Sequence, residues 1–278
     1  MELSVVIISW NAQKYVRPCL QSVTEALEDV DAEVIFIDNG STDDTESIVT
    51  KEFPSASYRN LGVNKGVAGA RNVGMKLAQG RYVMLLDIDT MVNKQAFCTM
   101  LDFMNQTPQV GICSCKLTSA ANEPQLSCLK LPTLTHKFKN VLLVLLVKLQ
   151  KRYKAKCLFQ WGESLWESNK RYFYLEQMDG QQPFDCEYLI GACQCIRKEV
   201  LEQIGFLDEH IFYGPEDADF CLRAWQQGWR VTYLPMVSIV HHYQKITNKR
   251  LLSRMSWRHI KALCYFFWKH KRLFRTGV

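Results

Sequence analysis

The chain has no hydrophobic run long enough to cross a bilayer: its longest unbroken apolar stretch is Val141 to Val147, against the roughly 18 residues a spanning helix needs. The opening Met1-Glu2-Leu3-Ser4 lacks the basic segment of a secretory signal, so neither export nor a transmembrane anchor is expected. No internal repeat or low-complexity tract interrupts the sequence, which argues against a solenoid or an extended disordered region. Paired cysteines at zinc-finger spacing are also missing. Eleven cysteines, an odd number, read as free thiols of a reducing compartment. Cys113 with Cys115 and Cys193 with Cys195 are each two apart, which sets both members of a pair on one face of a strand as buried thiols. Acid is absent from the whole C-terminal part. Residues 1–219 hold all 28 carboxylates against 22 of the 34 Lys and Arg, and the residues after Asp219 hold the other 12 cations. An acidic body therefore precedes a basic tail.

What is present suits one large α/β domain. Of 278 residues, 47% are hydrophobic, enough for a sizeable core. Leu3 to Ser9 is a continuous apolar, β-branched run, as in a strand buried on both faces of a parallel sheet. An amphipathic helix follows from about Lys14 to Leu27. Glu33 to Ile37 is a second buried strand, and Thr42 to Thr50 a second helix with Ser41 or Thr42 available as its N-cap. A short strand near Tyr58, a helix from Val67 to Ala78 and a strand from Tyr82 to Leu86 continue the alternation. Such a series predicts a mostly parallel, doubly wound sheet. The rhythm lapses from about Ser119 to Asp185, which holds Pro124, Pro132 and a basic, apolar stretch from His136 to Lys156. It resumes with Cys186 to Arg197, a helix over Lys198 to Ile204, a helix over Asp217 to Gln227, and strands at Arg230 to Leu234 and Val237 to Val240.

Ligands of such sheets bind outside the carboxyl ends of the strands. Here those ends read Ser9-Trp10-Asn11, Asp38-Asn39-Gly40-Ser41 and Asp87-Ile88-Asp89. Each is an ordinary turn composition by itself; three at one edge point to a site. Alternation aims Asp87 and Asp89 to the same side, where two carboxylates repel unless a cation binds. Oxygen ligands with positions left for phosphate suit Mg²⁺ or Mn²⁺. Glu216-Asp217 starts a helix after a Gly-Pro break; an acidic first turn is common there, and crowding by Glu216 and Asp219 also raises the pKa of Asp217 towards that of a base. His241 and His242 end a strand and face opposite ways, so one of them reaches the site. Asn64-Lys65-Gly66 and Arg71 lie before and within the third helix, where a cation and backbone donors reach a diphosphate or base.

In order and spacing, the runs Ser4 to Asn11, Ile37 to Asp43, Asn64-Lys65-Gly66 with Ala70-Arg71-Asn72, and Leu86 to Thr90 resemble the inverting glycosyltransferase family 2, which has the GT-A fold. Gly191-Ala192, Gly205 to Glu209, Glu216 to Asp219, Gly228-Trp229 and His241 are similar to its rhamnosyltransferase-like branch. The resemblance implies a nucleotide-sugar donor held by the first half, through Ser9, Asn11, Asp38, Asn39, Ser41, Asn64, Gly66, Arg71 and Asp87. It implies Asp89 and His241 on the metal at the donor diphosphate, Asp217 as general base, and Gly191, Ala192 and Glu216 on the acceptor side. Where many relatives have a second acid after Asp38, this chain has Asn39, which leaves the base of the donor open.

The expected organisation is a nucleotide-sugar-binding half over 1–117, an inserted variable region over 118–185, an acceptor-side and catalytic half over 186–243, and a basic amphipathic extension over 244–278. In the extension, Leu251, Met255, Ile260, Leu263 and Phe267 recur at near-helical spacing among ten Lys or Arg. That pattern fits a helix lying on an anionic membrane, with the Lys137 to Lys156 stretch as a second contact, or a helix packed on the domain with its cations in water. Nucleic acid is not an expected partner, since no binding motif accompanies the charge. The expected activity is transfer of a hexose or deoxyhexose to a lipid-linked or cell-surface glycan, at the cytoplasmic face of the membrane. The alternatives are a sugar nucleotidyltransferase and a catalytically silent sugar-nucleotide or glycan-binding subunit.

Overall fold

The computed structural model describes residues 1–139, 173–242 and 254–271. In chain order its elements are β1 (Leu3–Ser9), α1 (Gln13–Ala26), β2 (Ala32–Asp38), α2 (Thr45–Glu52), β3 (Ser57–Asn60), α3 (Gly66–Leu77), β4 (Tyr82–Asp87), β5 (Thr90–Met91), α4 (Lys94–Gln106) and β6 (Val110–Thr118). There follow β7 (Cys128–Leu129), α5 (Leu175–Met178), β8 (Phe184–Asp185), β9 (Tyr188–Leu189), β10 (Cys193–Arg197), α6 (Lys198–Ile204), α7 (Glu216–Gln226), β11 (Arg230–His241) and α8 (Arg254–His270). The stretch from Val141 to Lys156, including its proposed membrane contact, lies outside the described residues.

The main sheet runs β3-β2-β1-β4-β10-β6-β11-β5, with β8 also on β11. The alternating apolar residues of β1 explain its two layers. Leu3, Val5 and Ile7 point into a core shared with Val16, Leu20 and Val23 of α1 and Phe97, Met100 and Met104 of α4. Val6 points the other way, into a core with Met75 of α3 and Phe220 and Ala224 of α7. A strand buried on both faces has little room for polar groups, and Ser4, the polar residue within β1, is satisfied by donating to Glu33 at 2.6 Å. Helix α3 lies close on β1: a Cβ at Gly74 would fall 2.2 Å from Val6 Cγ1.

The pairing of β1 with β2 and β4 is parallel and sets Ser9 opposite Asp38 and Ile8 opposite Asp87. The polar strand ends expected at one edge are thus in register. One central strand departs from parallel order: β10 runs antiparallel between β4 and β6. The strands expected separately at Arg230 to Leu234 and Val237 to Val240 are one strand, β11, whose register with β6 shifts between Leu234 and Ser238. Pro235 has no N–H for the ladder, so the bulge falls where the donor is missing. The second helix begins at Thr45 rather than Thr42. Its N-cap residue is Asp44, and Asp43 just before it accepts from Thr45 N–H at 3.2 Å and Thr45 Oγ1 at 2.6 Å. Ser41, proposed as that cap, instead accepts the Asn11 N–H at 2.9 Å. The four paired cysteines are free and fully buried, with Cys195 opposite Cys113 on neighbouring strands.

Helix α8 packs on the domain. Ala262, Phe266 and Phe267 are buried, and Phe266 and Phe267 join Leu131 and the α7 residues Ala218 and Leu222 in a separate apolar cluster. Leu263 and Phe267, expected on the membrane-facing stripe, therefore face the protein. Leu251 and the side chain of Met255 lie outside the described residues. Among the described residues no helix is long and apolar enough to cross a membrane.

Candidate active site

The carboxyl ends of β1 and β2 build a fixed polar ledge. Asp38 is buried at the end of β2; its Oδ1 accepts the Ser41 N–H at 2.8 Å and its Oδ2 the Tyr58 hydroxyl at 2.7 Å. Asn11, in left-handed backbone at φ 49°, accepts the Thr42 N–H at 2.8 Å, tying the first loop to the second. Asn39 holds the third loop: its Oδ1 accepts from Lys65 N–H at 2.8 Å, and its Nδ2 donates to Gly66 O at 3.1 Å and Asn64 Oδ1 at 3.3 Å. Asn39 thus uses its amide to brace the start of α3. Gly66 has φ 78°, and a Cβ there would lie 2.6 Å from Phe212 O, so the loop before α7 rests directly on it. Ser9 Oγ is buried without a hydrogen-bond partner.

Beside this ledge, one ligand atom from each of Asp87, Asp89 and His241 lies within 4.8 Å of the others. His241 Nε2 is 3.5 Å from Asp89 Oδ1. The imidazole is oriented from behind by Gln125, whose Oε1 accepts from Nδ1 at 2.7 Å while its Nε2 donates to the His241 carbonyl at 2.7 Å. A proton held on Nδ1 leaves the Nε2 lone pair directed at the carboxylates, the arrangement found in histidine ligands of metals. Two carboxylates and an imidazole are a donor set suited to a divalent ion. His242 faces away, stacked on Tyr15 with ring centroids 5.8 Å apart.

Arg71 joins this cluster to the second half of the chain. Its guanidinium is buried, and Nη2 donates to Asp87 Oδ1 at 2.5 Å and to the Gly191 carbonyl at 2.6 Å, with Glu216 Oε1 4.0 Å from Nη1. The Gly191 N–H in turn donates to Asp217 Oδ2 at 3.3 Å, and the Asp87 N–H donates to the Ala192 carbonyl at 3.1 Å. The family resemblance implies Arg71 on the donor side; in the structure its guanidinium bridges Asp87 and the Gly191 carbonyl. Its Nε and Glu216 Oε2 are buried without hydrogen-bond partners. Gly191 is required by this bridge, because a Cβ there would sit 2.0 Å from Arg71 Nη1. Gly191→Ala is expected to lower stability by about 2 kcal/mol through overpacking and displacement of the guanidinium, read as a drop in melting temperature.

Burial, with Asp217 next to it, pushes the Glu216 carboxyl up to about 7 against the pull of Arg71. Asp217 is also raised, chiefly by burial, although backbone N–H groups and Arg71 favour its charge. Between the ordinary pKa of a glutamate and about 7, the native state holds a proton at Glu216 that the unfolded chain has released, so this residue makes stability fall as pH rises through that window. His259, lowered by burial and by Lys137, contributes in the opposite sense. The diagnostic is therefore a difference. From about pH 5 to about pH 7, Glu216→Gln should gain stability relative to the parent in thermal melts; a constant offset would remove the assignment.

Residues 4–205 match the family model described as Glycosyl transferase family 2. The chain belongs to that family. This glycosyltransferase is 22% identical over 289 residues, 99% of its own length and 87% of the relative's, to N-acetylglucosaminyl-diphospho-decaprenol L-rhamnosyltransferase of Mycobacterium tuberculosis. Among solved structures it resembles the mannosyltransferase PcManGT from Pyrobaculum calidifontis in complex with GDP-Man and Mn²⁺, with a TM-score of 0.60 and 19% identity over 99% of the chain and 66% of that protein. S. aureus TarS 1-349 in complex with UDP-GlcNAc gives a TM-score of 0.57 at 19% identity over 91% of the chain and 62% of that structure. The expected GT-A fold is thereby shown. The chain spans under two thirds of the TarS structures it matches.

Three side chains of the glycosyltransferase site were not singled out from the sequence. Gln125 lies in the irregular stretch after β6, where no periodicity marks a glutamine as a partner of His241. Tyr58 was read only as part of a short strand, though its hydroxyl closes on Asp38. Lys137 was assigned to a basic membrane contact. It is half-buried, its pKa lowered by burial and opposed by the nearby Asp217 carboxylate. The basic, apolar composition around Lys137 gave no sign that this cation lies near Asp217.

Proposed function

We propose that the chain is an inverting glycosyltransferase that moves a hexose or deoxyhexose from a nucleotide-sugar to a hydroxyl of a lipid-linked or cell-surface glycan. The observation that carries this reading is the Asp87, Arg71, Gly191, Asp217 chain of hydrogen bonds, which ties the acidic cluster at the donor edge to a half-buried carboxylate of raised pKa on the proposed acceptor side. The relatives' names agree in kind: one is a rhamnosyltransferase of a lipid-linked diphosphate, and another, in the fold comparison, is in complex with a nucleotide-sugar and Mn²⁺.

In this reading the loops after β1, β2 and β3 receive the nucleoside, with Asp38 near the ribose or base and Ser9 Oγ a buried hydroxyl with hydrogen-bonding capacity to spare. Asp87, Asp89 and His241 hold Mg²⁺ or Mn²⁺, which when bound offsets negative charge on the departing nucleoside diphosphate. Asp217 takes the proton from the acceptor hydroxyl as its oxygen attacks the anomeric carbon from the face opposite the diphosphate. Its carboxylate is kept in place by the Gly191 and Ala218 N–H groups, and burial raises its proton affinity. Arg71 keeps Asp87 and Glu216 apart, so that the two acidic centres coexist in one cleft.

The deciding assay offers a panel of nucleotide-sugars with Mn²⁺ or Mg²⁺, with and without acceptor glycolipid, and follows nucleoside diphosphate. Acceptor-dependent release supports transfer. Pyrophosphate made from a nucleoside triphosphate and a sugar phosphate would instead establish the nucleotidyltransferase. Donor binding without turnover under every acceptor would establish the silent binding subunit. The basic tail supports a peripheral position at the inner face of the cell membrane, where lipid-linked acceptors are found.

A further inference from the structure

Helix α8 has two faces of different chemistry. The inner face is spent on the domain: Phe266 and Phe267 are buried, Lys269 reaches Asp208 at 2.7 Å and Asp219 at 2.6 Å, and His270 Nε2 lies 2.8 Å from Asp219 Oδ1. It also holds the loop that leads into Glu216 and Asp217. His259 Nδ1 donates to the Gly214 carbonyl at 3.0 Å, Tyr265 donates to Asp208 at 2.9 Å, and Arg258 lies over the Phe212 ring.

The outer face consists of Trp257, Ile260, Lys261, Cys264, Trp268 and Lys271, which are the exposed residues of α8 from 257 onwards and its following residue. Their spacing of three and four makes them one continuous stripe. Trp257 is 59% exposed, Ile260 47% and Trp268 75%, a large apolar display for a helix that already buries its other side. No acid lies on the stripe or anywhere after Asp219, and ten Lys or Arg occur from Lys245 onwards. Tryptophan with lysine is the composition of helices lying at the lipid headgroup boundary.

We propose that this outer stripe of α8 is the surface by which the chain lies on an anionic lipid bilayer. The proposal rests on the membrane-surface reading above and moves its contact to the opposite face of the helix from Leu263 and Phe267. A second copy of the chain is a poorer occupant, since a symmetric contact along the stripe would set Lys261 and Lys271 against cations with no acid to meet them. With the catalytic loop on the inner face, docking would hold the acceptor side about one helix diameter, roughly 10 Å, from the headgroups.

The test is flotation of the full chain with vesicles of phosphatidylcholine alone or mixed with phosphatidylglycerol. The parent should float with the anionic vesicles, and less at high salt. Trp257→Ser with Trp268→Ser should lower partitioning about tenfold while leaving the melting temperature unchanged, because both rings are exposed. Lys261→Glu with Lys271→Glu should lower it about fivefold per residue or more on anionic vesicles alone. A parent that does not float, or stripe variants that float like the parent, would overturn the proposal. So would a loss of self-association, measured by light scattering without lipid, in stripe variants whose flotation is intact. Nucleoside diphosphate release with a water-soluble acceptor should be the same in the Trp variant as in the parent. A parent that floats through the stripe yet releases no nucleoside diphosphate with any donor keeps the docking surface and refutes the transferase reading.

Discussion

Asp217→Asn is expected to lower the turnover of sugar transfer by about a thousandfold while leaving donor affinity within about twofold. The substitution keeps shape and removes only proton affinity. An asparagine oxygen can still accept the Ala218 N–H, now at 2.8 Å, so that donor in the first turn of α7 keeps its partner. The Gly191 N–H, at 3.3 Å the longer of the two bonds, is the contact most exposed to loss. The proposed donor contacts lie on the Asp87 side of the Arg71 bridge and should not change. Calorimetric titration of donor beside single-turnover transfer separates the two effects. Near-normal transfer would remove Asp217 as the base, and parallel loss of binding and turnover would make it a structural residue. Glu216→Gln is the control, because Glu216 is buried against Arg71 beside Asp217 and the substitution keeps its shape.

How much of this site the sequence disclosed depends on how local each relationship is. The edge formed by Ser9, Asp38 and Asp87 was legible because parallel strands ending together bring their next residues together, and apolar runs mark where strands end. Asp87, Asp89 and His241 could be nominated, the first two by alternation and the last by family pattern. The partner of His241 could not, since Gln125 is 116 residues away in a stretch without regular spacing. Arg71 was nominated without its partners for a similar reason. A cation in a helix reads as reaching outwards, and only the packing of α3 against the Gly191 turn shows that it is buried between two acids. The antiparallel β10 was likewise hidden: the run Cys193 to Arg197 carries nothing that distinguishes one strand direction from the other. In α8, helical periodicity identified an amphipathic helix but not which face the domain consumes. That choice was made by Leu131, Ala218 and Leu222, which are distant in sequence from the helix they cover.

Asp89→Ala is expected to weaken donor affinity in the presence of Mn²⁺ by about a hundredfold and to abolish its dependence on the metal. Asp89 is the most informative member of the triad to remove. Asp87 also carries the Arg71 ion pair at 2.5 Å, so its loss would disturb the bridge to Glu216 along with any metal effect. His241 is bound to Gln125 and packed at 4% exposure, so truncating it would leave a cavity and an unpaired amide. Removing Asp89 relieves repulsion between two close carboxylates and gives up the contact with His241 Nε2, opposing effects that should leave its melting temperature within a few degrees of the parent's. Stability and binding then move independently. Donor titrations with Mn²⁺ and with a chelator should show a wide gap for the parent and none for the variant, whereas a gap of equal size in both would place the metal elsewhere and leave Asp89 without its assigned role.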